Sequence, residues 1–335
     1  MKALRRIEKA AGAASVQDIE KPTVGPDQVL LKVAYCGICG SDMHAYLNHP
    51  GYEFVLPQVT FGHELSGTIE ASNAKGWDVG TPASMIALQA CLRDDCTPCS
   101  DGYPQLCQSR QVQGFHLDGG MAEYAVIHSD YLVPLPESMD LKSAALTEPL
   151  SVAVHCVDAC SSVTEGSRVI VTGPGIIGML CALVARHRGA DVLIVGTESD
   201  IPVRLTAAAK VGFKTAVVGK DDLNGYDADV LIEASGAAVA FAQAWRMVRL
   251  RGLVSIVAIY GHNADVDLTQ FVRRQIDIQT SYASSYPEYL VAIELLESEV
   301  IPVDDLVQVY DLVDGIQGFK DAEQQAVLKP LLKCN

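Results

Sequence analysis

No stretch constrains this chain more than Arg168-Val169-Ile170-Val171-Thr172, which runs without a break into Gly173-Pro174-Gly175-Ile176-Ile177-Gly178 and then Met179–Arg188. Four β-branched residues behind one arginine read as a short strand buried on both faces, the kind a parallel sheet requires. A G-x-G-x-x-G pattern is weak alone, but between a strand and a helix each glycine has its own use. Gly173 makes the turn, Gly175 lets the backbone approach a pyrophosphate, and Gly178 lets helix and strand pack closely. The helix N-terminus, with Ile176 and Ile177 in its first turn, offers amide donors and a positive dipole end to phosphates. Behind it β and α segments alternate: Asp191–Val195, Val203–Val211, Ala216–Val218, Val230–Glu233, Phe241–Val248 and Gly252–Ala258. The expectation is an α/β unit with a doubly wound parallel sheet, entered near residue 149 through an apolar helix at Pro149–His155.

A chain of 335 residues is too long for that sheet alone and predicts a second domain. The residues before Glu148 have a different texture. Gln28–Cys36, Glu64–Glu70 and Met121–His128 read as strands, and Pro22, Pro26, Pro50, Pro57, Pro82 and Pro98 punctuate the loops between them. With 41 acidic against 25 basic side chains, the net charge of −16 argues against nucleic acid or an anionic membrane as partner. No apolar run approaches the roughly 18 residues of a spanning helix. Met1-Lys2-Ala3-Leu4-Arg5-Arg6 passes into Ile7-Glu8-Lys9 with no apolar core of a signal peptide, which predicts a cytoplasmic protein. In that compartment ten cysteines point to metal ligands and buried thiols rather than disulfides.

Within the β-rich part, Cys39-Gly40-Ser41-Asp42-Met43-His44 follows the first of these strands, and Gly62-His63-Glu64 lies downstream. Cys39, His63 and Glu64 offer a thiolate, an imidazole and a carboxylate. Three protein ligands and an open position are the usual catalytic zinc arrangement. Such a metal acidifies a bound hydroxyl group. Ser41 and His44, beside the proposed ligand, have the chemistry of a relay that carries the alcohol proton to solvent. Tyr46, Tyr52 and Phe54 follow, suited either to a substrate pocket or to ordinary packing. A second cluster, Cys91, Cys96, Cys99 and Cys107, is spaced C-x4-C-x2-C-x7-C in a Pro- and Gly-bearing lobe at about residues 90–108. Four thiolates close a tetrahedral zinc site and leave no room for substrate, so this metal is expected to be structural. Asp94 or Asp95 is the alternative to Cys91 as its fourth ligand.

One feature of a dinucleotide site is missing. The strand Val192–Val195 ends not in an acid but in Gly196-Thr197-Glu198-Ser199-Asp200. Glu198 or Asp200 can reach an adenosine ribose from the loop, as NAD requires. Thr197 leaves room for a 2′-phosphate with Arg204 as its partner, but the acidic neighbours repel one, so NAD is favoured over NADP.

These motifs, with Asp118-Gly119-Gly120-Met121-Ala122-Glu123-Tyr124 and Glu148-Pro149-Leu150, stand in the order of the zinc-dependent medium-chain dehydrogenases. Over essentially its whole length the chain most resembles their sorbitol (polyol) and threonine dehydrogenase branch. The resemblance implies a GroES-like catalytic domain of residues 1–148 and 285–335, interrupted by a Rossmann domain of residues 149–284. Leu328–Lys333 resembles the strand that returns to the first domain, with Pro330 expected to confine it to an edge or a bulge. It further implies that Cys39, His63 and Glu64 hold catalytic zinc. Glu148 then lies close by, as an exchanging ligand or bonded to the metal's water. Ser235, Ile259 and Thr280-Ser281-Tyr282 are implied near the nicotinamide. Relatives are homodimers or homotetramers. The cysteine lobe departs from the family in its four-residue first spacing, and no arginine follows Tyr282 as in some sorbitol dehydrogenases.

The expected activity is zinc-dependent, NAD(P)-linked interconversion of a secondary alcohol, a polyol or similar polar substrate, and its ketone. A threonine-type or simple secondary-alcohol dehydrogenase is the alternative within enzymes. From another class, the alternative is a dinucleotide-binding sensor without turnover.

Overall fold

The computed structural model describes residues 1–335. The chain forms two compact units: Met1–Glu148 with Ser284–Ser298 and Val307–Asn335, and Pro149–Ala283 with Glu299–Leu306. No helix is long and apolar enough to cross a membrane.

The first unit starts with a hairpin of β1 (Lys2–Arg6) and β2 (Ala14–Asp18). β3 (Gln28–Gly37) is long and largely buried, and it feeds directly into helix α1 (Gly40–Tyr46). Next come β4 (Glu64–Ser72) and β5 (Pro82–Met85), then a lobe holding β6 (Leu88–Gln89), helix α2 (Thr97–Ser100) and β7 (Gln111–Val112). β8 (Tyr124–His128), β9 (Leu132–Pro134), the short helix α3 (Leu141–Ala144) and the first two residues of α4 (Thr147–Val154) complete the first pass. β8 begins later than the Met121 expected from its apolar content. Gly119, Gly120 and Met121 instead donate their amides to the carbonyls of Thr60, Gly62 and Phe61, at 2.8, 2.9 and 2.8 Å. That clamp fixes the approach to His63.

The second unit is a six-stranded, all-parallel sheet. Its strands are β10 (Arg168–Thr172), β11 (Asp191–Gly196), β12 (Lys214–Val217), β13 (Ala228–Glu233), β14 (Val248–Ile256) and β15 (Asp277–Thr280), in the order β12-β11-β10-β13-β14-β15. The order reverses between β10 and β13, and at such a switch point the strand ends open a crevice for a ligand. Helix α5 (Ile176–His187) buries Gly178 through Ala185 and ends with Arg186, a cation that suits the negative end of its dipole, and His187. Glu299–Leu306, inside the stretch assigned to the first domain from the sequence, groups with this unit, where Asp305 pairs with Lys210 at 2.7 Å.

The chain then re-enters the first unit with β16 (Val307–Asp311) and β17 (Lys329–Lys333). The large sheet runs β16-β17-β3-β4-β5-β9, with β8 also on β3. β17 therefore lies inside the sheet, not at an edge as Pro330 suggested. The ladder to β3 starts one residue later, at Leu331 opposite Gly37, so the absent amide of Pro330 interrupts nothing there, and its carbonyl accepts from Ile38 N at 3.1 Å. The packed interior of this sheet gathers Leu31, Val33, Leu65, Met85, Met121, Phe319 and Leu332.

Candidate active site

Cys39 sits at the mouth of β3, as the residue that caps α1, with extended backbone angles (φ −85°, ψ 157°). Three residues on, Asp42 is wholly buried and its carboxylate accepts the Cys39 amide at 3.0 Å. The other Asp42 oxygen faces His63 Nδ1 at 3.6 Å. On the opposite side of the ring, Nε2 faces Ser41 Oγ at 3.3 Å. His63 is brought here by Gly62, whose φ of +100° favours glycine and whose missing Cβ would meet Met121 Cγ at 2.7 Å. Burial works to lower the His63 pKa, yet Asp42, the Cys39 thiol and Glu148 together hold it well above its ordinary value.

Two carboxylates complete the cluster. Glu148, in the first turn of α4, is buried, and its pKa is pushed up to about 7, first by that burial and then by Glu64 and Asp42, with His63 and Lys329 pulling the other way. Glu64 is an ion-pair partner: one oxygen receives Lys329 Nζ, which also donates to Ile38 O at 2.9 Å. Both members of the pair are 1% exposed. Gly37 makes room for them, since a Cβ there would run into the Glu64 carboxylate and the Lys329 stem. Lys329 and Asp42 are the charged groups the sequence reading passed over. Asp42 stood three residues after a suspected ligand, where a side chain reaches back to the helix cap. Lys329 had no local signal.

His44 lies one turn beyond Ser41 on the same side of α1 and stacks on Tyr52 with ring centroids 5.2 Å apart. Tyr46 turns inward and packs on Phe319 at 4.7 Å, as core. An aromatic that carried no sequence signal, Phe115, stands edge-on to His63 at 5.3 Å and also meets Tyr52 and Phe54.

The sulfurs of Cys91, Cys96, Cys99 and Cys107 all lie within 4.8 Å of one another. Cys91–Cys99 and Cys96–Cys107 are each 3.8 Å apart, and all four are free thiols. Zinc with sulfurs at about 2.3 Å in a tetrahedron separates them by about 3.8 Å, so the cage has the right size. Leu92, at φ +50°, reverses the backbone and lets the four-residue spacer close. Asp95 is turned away to Arg93 at 3.0 Å. Burial raises the Cys107 pKa, but the amides of Cys91 and Ser109 outweigh it and bring the value down to about 7, while burial and the neighbouring thiols push Cys99 up to about 12.

In the second unit the three glycines of the turn have three different surroundings. A Cβ on Gly173 would meet Ser235 Cα at 2.5 Å, one on Gly178 would strike the Gly173 carbonyl, and one on Gly175 would meet nothing within 4 Å. Open space above Gly175, at the N-terminus of α5, is what a phosphate needs. The turn thus abuts Ser235, across the switch point, where Ser235 N donates to the buried Glu233 at 2.9 Å. Ile259 is 61% exposed beside Gly236. After β11, Asp200 caps its own turn, accepting from Thr197 N at 2.9 Å and pairing with Arg204 at 3.3 Å. Glu198 is exposed and pairs with Lys220 at 3.0 Å.

Residues 25–137 match the alcohol dehydrogenase GroES-like domain, and residues 177–298 match the zinc-binding dehydrogenase domain. A sorbitol dehydrogenase from Halalkalibacterium halodurans is 34% identical over 99% of both chains. The chain belongs to the zinc-binding alcohol dehydrogenases. Its place among these medium-chain dehydrogenases is the polyol branch. The 2R,3R-butanediol dehydrogenase of Bacillus subtilis superimposes with a TM-score of 0.89 at 26% identity, over 100% of this chain and 99% of that one. So does a Sinorhizobium meliloti 1021 protein assigned to the zinc-binding dehydrogenases and bound to NADP, at 0.89 and 27%, over 99% and 98%. The donor chemistry of the dehydrogenase fits zinc at both places. In the buried cluster, the acids Cys39, Asp42, Glu64 and Glu148 gather around His63 and Lys329, and the buried atoms His63 Nδ1 and Asp42 Oδ1 lack hydrogen-bond partners. An excess of buried acid over base is a place for a cation.

Proposed function

We propose that this enzyme interconverts a secondary hydroxyl of a polyol, or of a similar small polar substrate, with its ketone, with NAD favoured over NADP. The observation that carries the reading is the meeting of Cys39, His63 and Glu148 in one buried cluster with Ser41 placed on the His63 ring. Cys39, His63 and Glu64 would hold the catalytic zinc, Glu64 while keeping Lys329 on one oxygen, and Glu148 would exchange with them. Bound there, zinc supplies the Lewis acidity that makes a substrate hydroxyl a better proton donor. Asp42, on the Nδ1 side of His63, orients the ring and leaves Nε2 as the ligating nitrogen. Ser41 takes the hydroxyl proton, and His44, on the same helix face, passes it outward. Phe115, Tyr52 and Phe54 form an apolar wall that keeps water off the reacting carbon. Cys91, Cys96, Cys99 and Cys107 would hold the structural zinc.

In the second unit, Gly173, Gly175, Ile176, Ile177 and Gly178 would take the pyrophosphate, and Ser235 and Ile259 the nicotinamide half. Glu198 would accept from the adenosine ribose. The NAD preference rests on the cations: Arg204 is tied to Asp200 and Lys220 to Glu198, so neither is left for a 2′-phosphate. Self-association is expected along β15. All of its residues are exposed, it closes one end of the sheet, and Leu250, Leu268 and Val272 are exposed in the same unit. The deciding experiment is a panel of polyols, threonine and simple secondary alcohols assayed in parallel with NAD and NADP on zinc-loaded protein. Turnover with threonine alone, with NADP alone, or with nothing in the panel would each overturn a named part of this reading.

A further inference from the structure

We propose that His49 is a positioning residue for the proton relay: its Nδ1 accepts the Nδ1–H of His44 and so keeps His44 Nε2 bare to receive the proton. The inference rests on the relay reading above and adds to it a residue that touches neither substrate nor cofactor.

The backbone brings the two rings together. Helix α1 closes with Asn48 in the left-handed region at φ +54°. The amide of Asn48 donates to Ala45 O at 3.2 Å and that of His49 to His44 O at 2.9 Å. This is the paired closure of a Schellman turn, in which the residue two past the cap folds onto the side chain three before it. Ordinarily those two positions hold apolar side chains. Here both are histidines, and their Nδ1 atoms meet at 2.8 Å. Arg6 Nη2 donates to Asn48 Oδ1 at 2.6 Å and pins the turn to β1.

A 2.8 Å contact between two imidazole nitrogens requires that one carries a proton and the other does not. His49 is exposed, and an imidazole in water favours the Nε2–H form, which leaves its Nδ1 as an acceptor. His44 must then donate from Nδ1, and the nitrogen left without a proton is Nε2. When that nitrogen takes the substrate proton, the Nδ1–H···Nδ1 bond becomes charge-assisted and stronger, the same use that buried carboxylates serve beside catalytic histidines. Of the groups packed against His44, His49 and Tyr52 are titratable. Half-buried His44 is held below its ordinary pKa, first by burial and then by the neighbouring His49, as suits a base that works neutral.

The test uses the zinc-loaded protein labelled with ¹⁵N-histidine, whose eight histidines give a readable ¹⁵N–¹H spectrum. In the parent protein His44 should show a protonated Nδ1 and a bare Nε2. His49→Phe keeps the ring shape and removes the acceptor. It should turn His44 towards the Nε2–H form and lower kcat for alcohol oxidation about tenfold with KM little changed. His49→Asn, which places an amide oxygen where Nδ1 was, should recover the tautomer and the rate. His49→Phe with the parent tautomer and rate would overturn the inference alone, provided His44→Asn is impaired. If His44→Asn keeps the parent kcat while binding zinc and NADH, the relay itself falls, and the role of His49 falls with it.

Discussion

Two regions of the first unit gather cysteine near other metal-ligating groups, and they are held together by opposite means. Around Cys39 and His63 the donors sit just after β3, at the start of β4 and in the first turn of α4, and β3 and β4 belong to a packed core. Their charges are already part-compensated by the Lys329–Glu64 pair and by the contact of Asp42 with the Cys39 amide. This cluster keeps its shape through the protein. In the lobe the donors sit on a four-residue helix and on turns with little apolar content. There the four sulfurs are the core, and the metal would do what packing does elsewhere. Under the proposed roles, a site that exchanges ligands would stand on rigid elements, and a site that only staples would sit on loose ones.

The largest contrast is expected from Cys39→Ala, which should lower kcat at least about a thousandfold, equivalent to about 4 kcal/mol of barrier, while melting temperature and NADH binding stay close to the parent. Zinc analysis should show loss of the metal from this site and retention in the lobe. A variant with full turnover would refute the metal role of Cys39. Next is Lys329→Met. It strands a buried carboxylate and should destabilise the metal-free protein by about 3 kcal/mol in urea titration. Zinc, by supplying charge in place of the ammonium, should restore part of that loss; destabilisation that zinc leaves unchanged would mean Glu64 is purely structural. Ser41→Ala should reduce kcat about a hundredfold, roughly 2.7 kcal/mol, with zinc content intact. The smallest effect on turnover belongs to Cys99→Ser. It should free the lobe for proteolysis near residues 90–108 and release its zinc, yet leave kcat per folded molecule within about twofold. A collapse of kcat there would erase the distinction between the two regions.

Much of this was readable before any coordinates. The glycine turn after β10 was legible because its chemistry is short-range: a strand, a turn and a helix N-terminus lie within a few residues, and glycine alone tolerates the contacts at Gly173 and Gly178. The four cysteines were legible for the same reason, since one loop carries them all. Pro330 misled because an edge is the usual refuge for proline, whereas here the neighbouring ladder simply begins after it. Asp42 was overlooked although it stood inside the motif, because its role depends on which way α1 turns.

The amino-acid sequence by itself determined the family, the doubly wound sheet and the two clusters of donors, since each is written in neighbouring residues whose backbone geometry is local. Only the tertiary structure decided that Glu64 would share its carboxylate with Lys329, 265 residues away, and that Phe115 would stand against the His63 ring. Those partners meet because β17 returns to lie beside β3, and the loop carrying Phe115 folds back over Gly62. Such closures follow from the packing of the whole sheet, which no local spacing records.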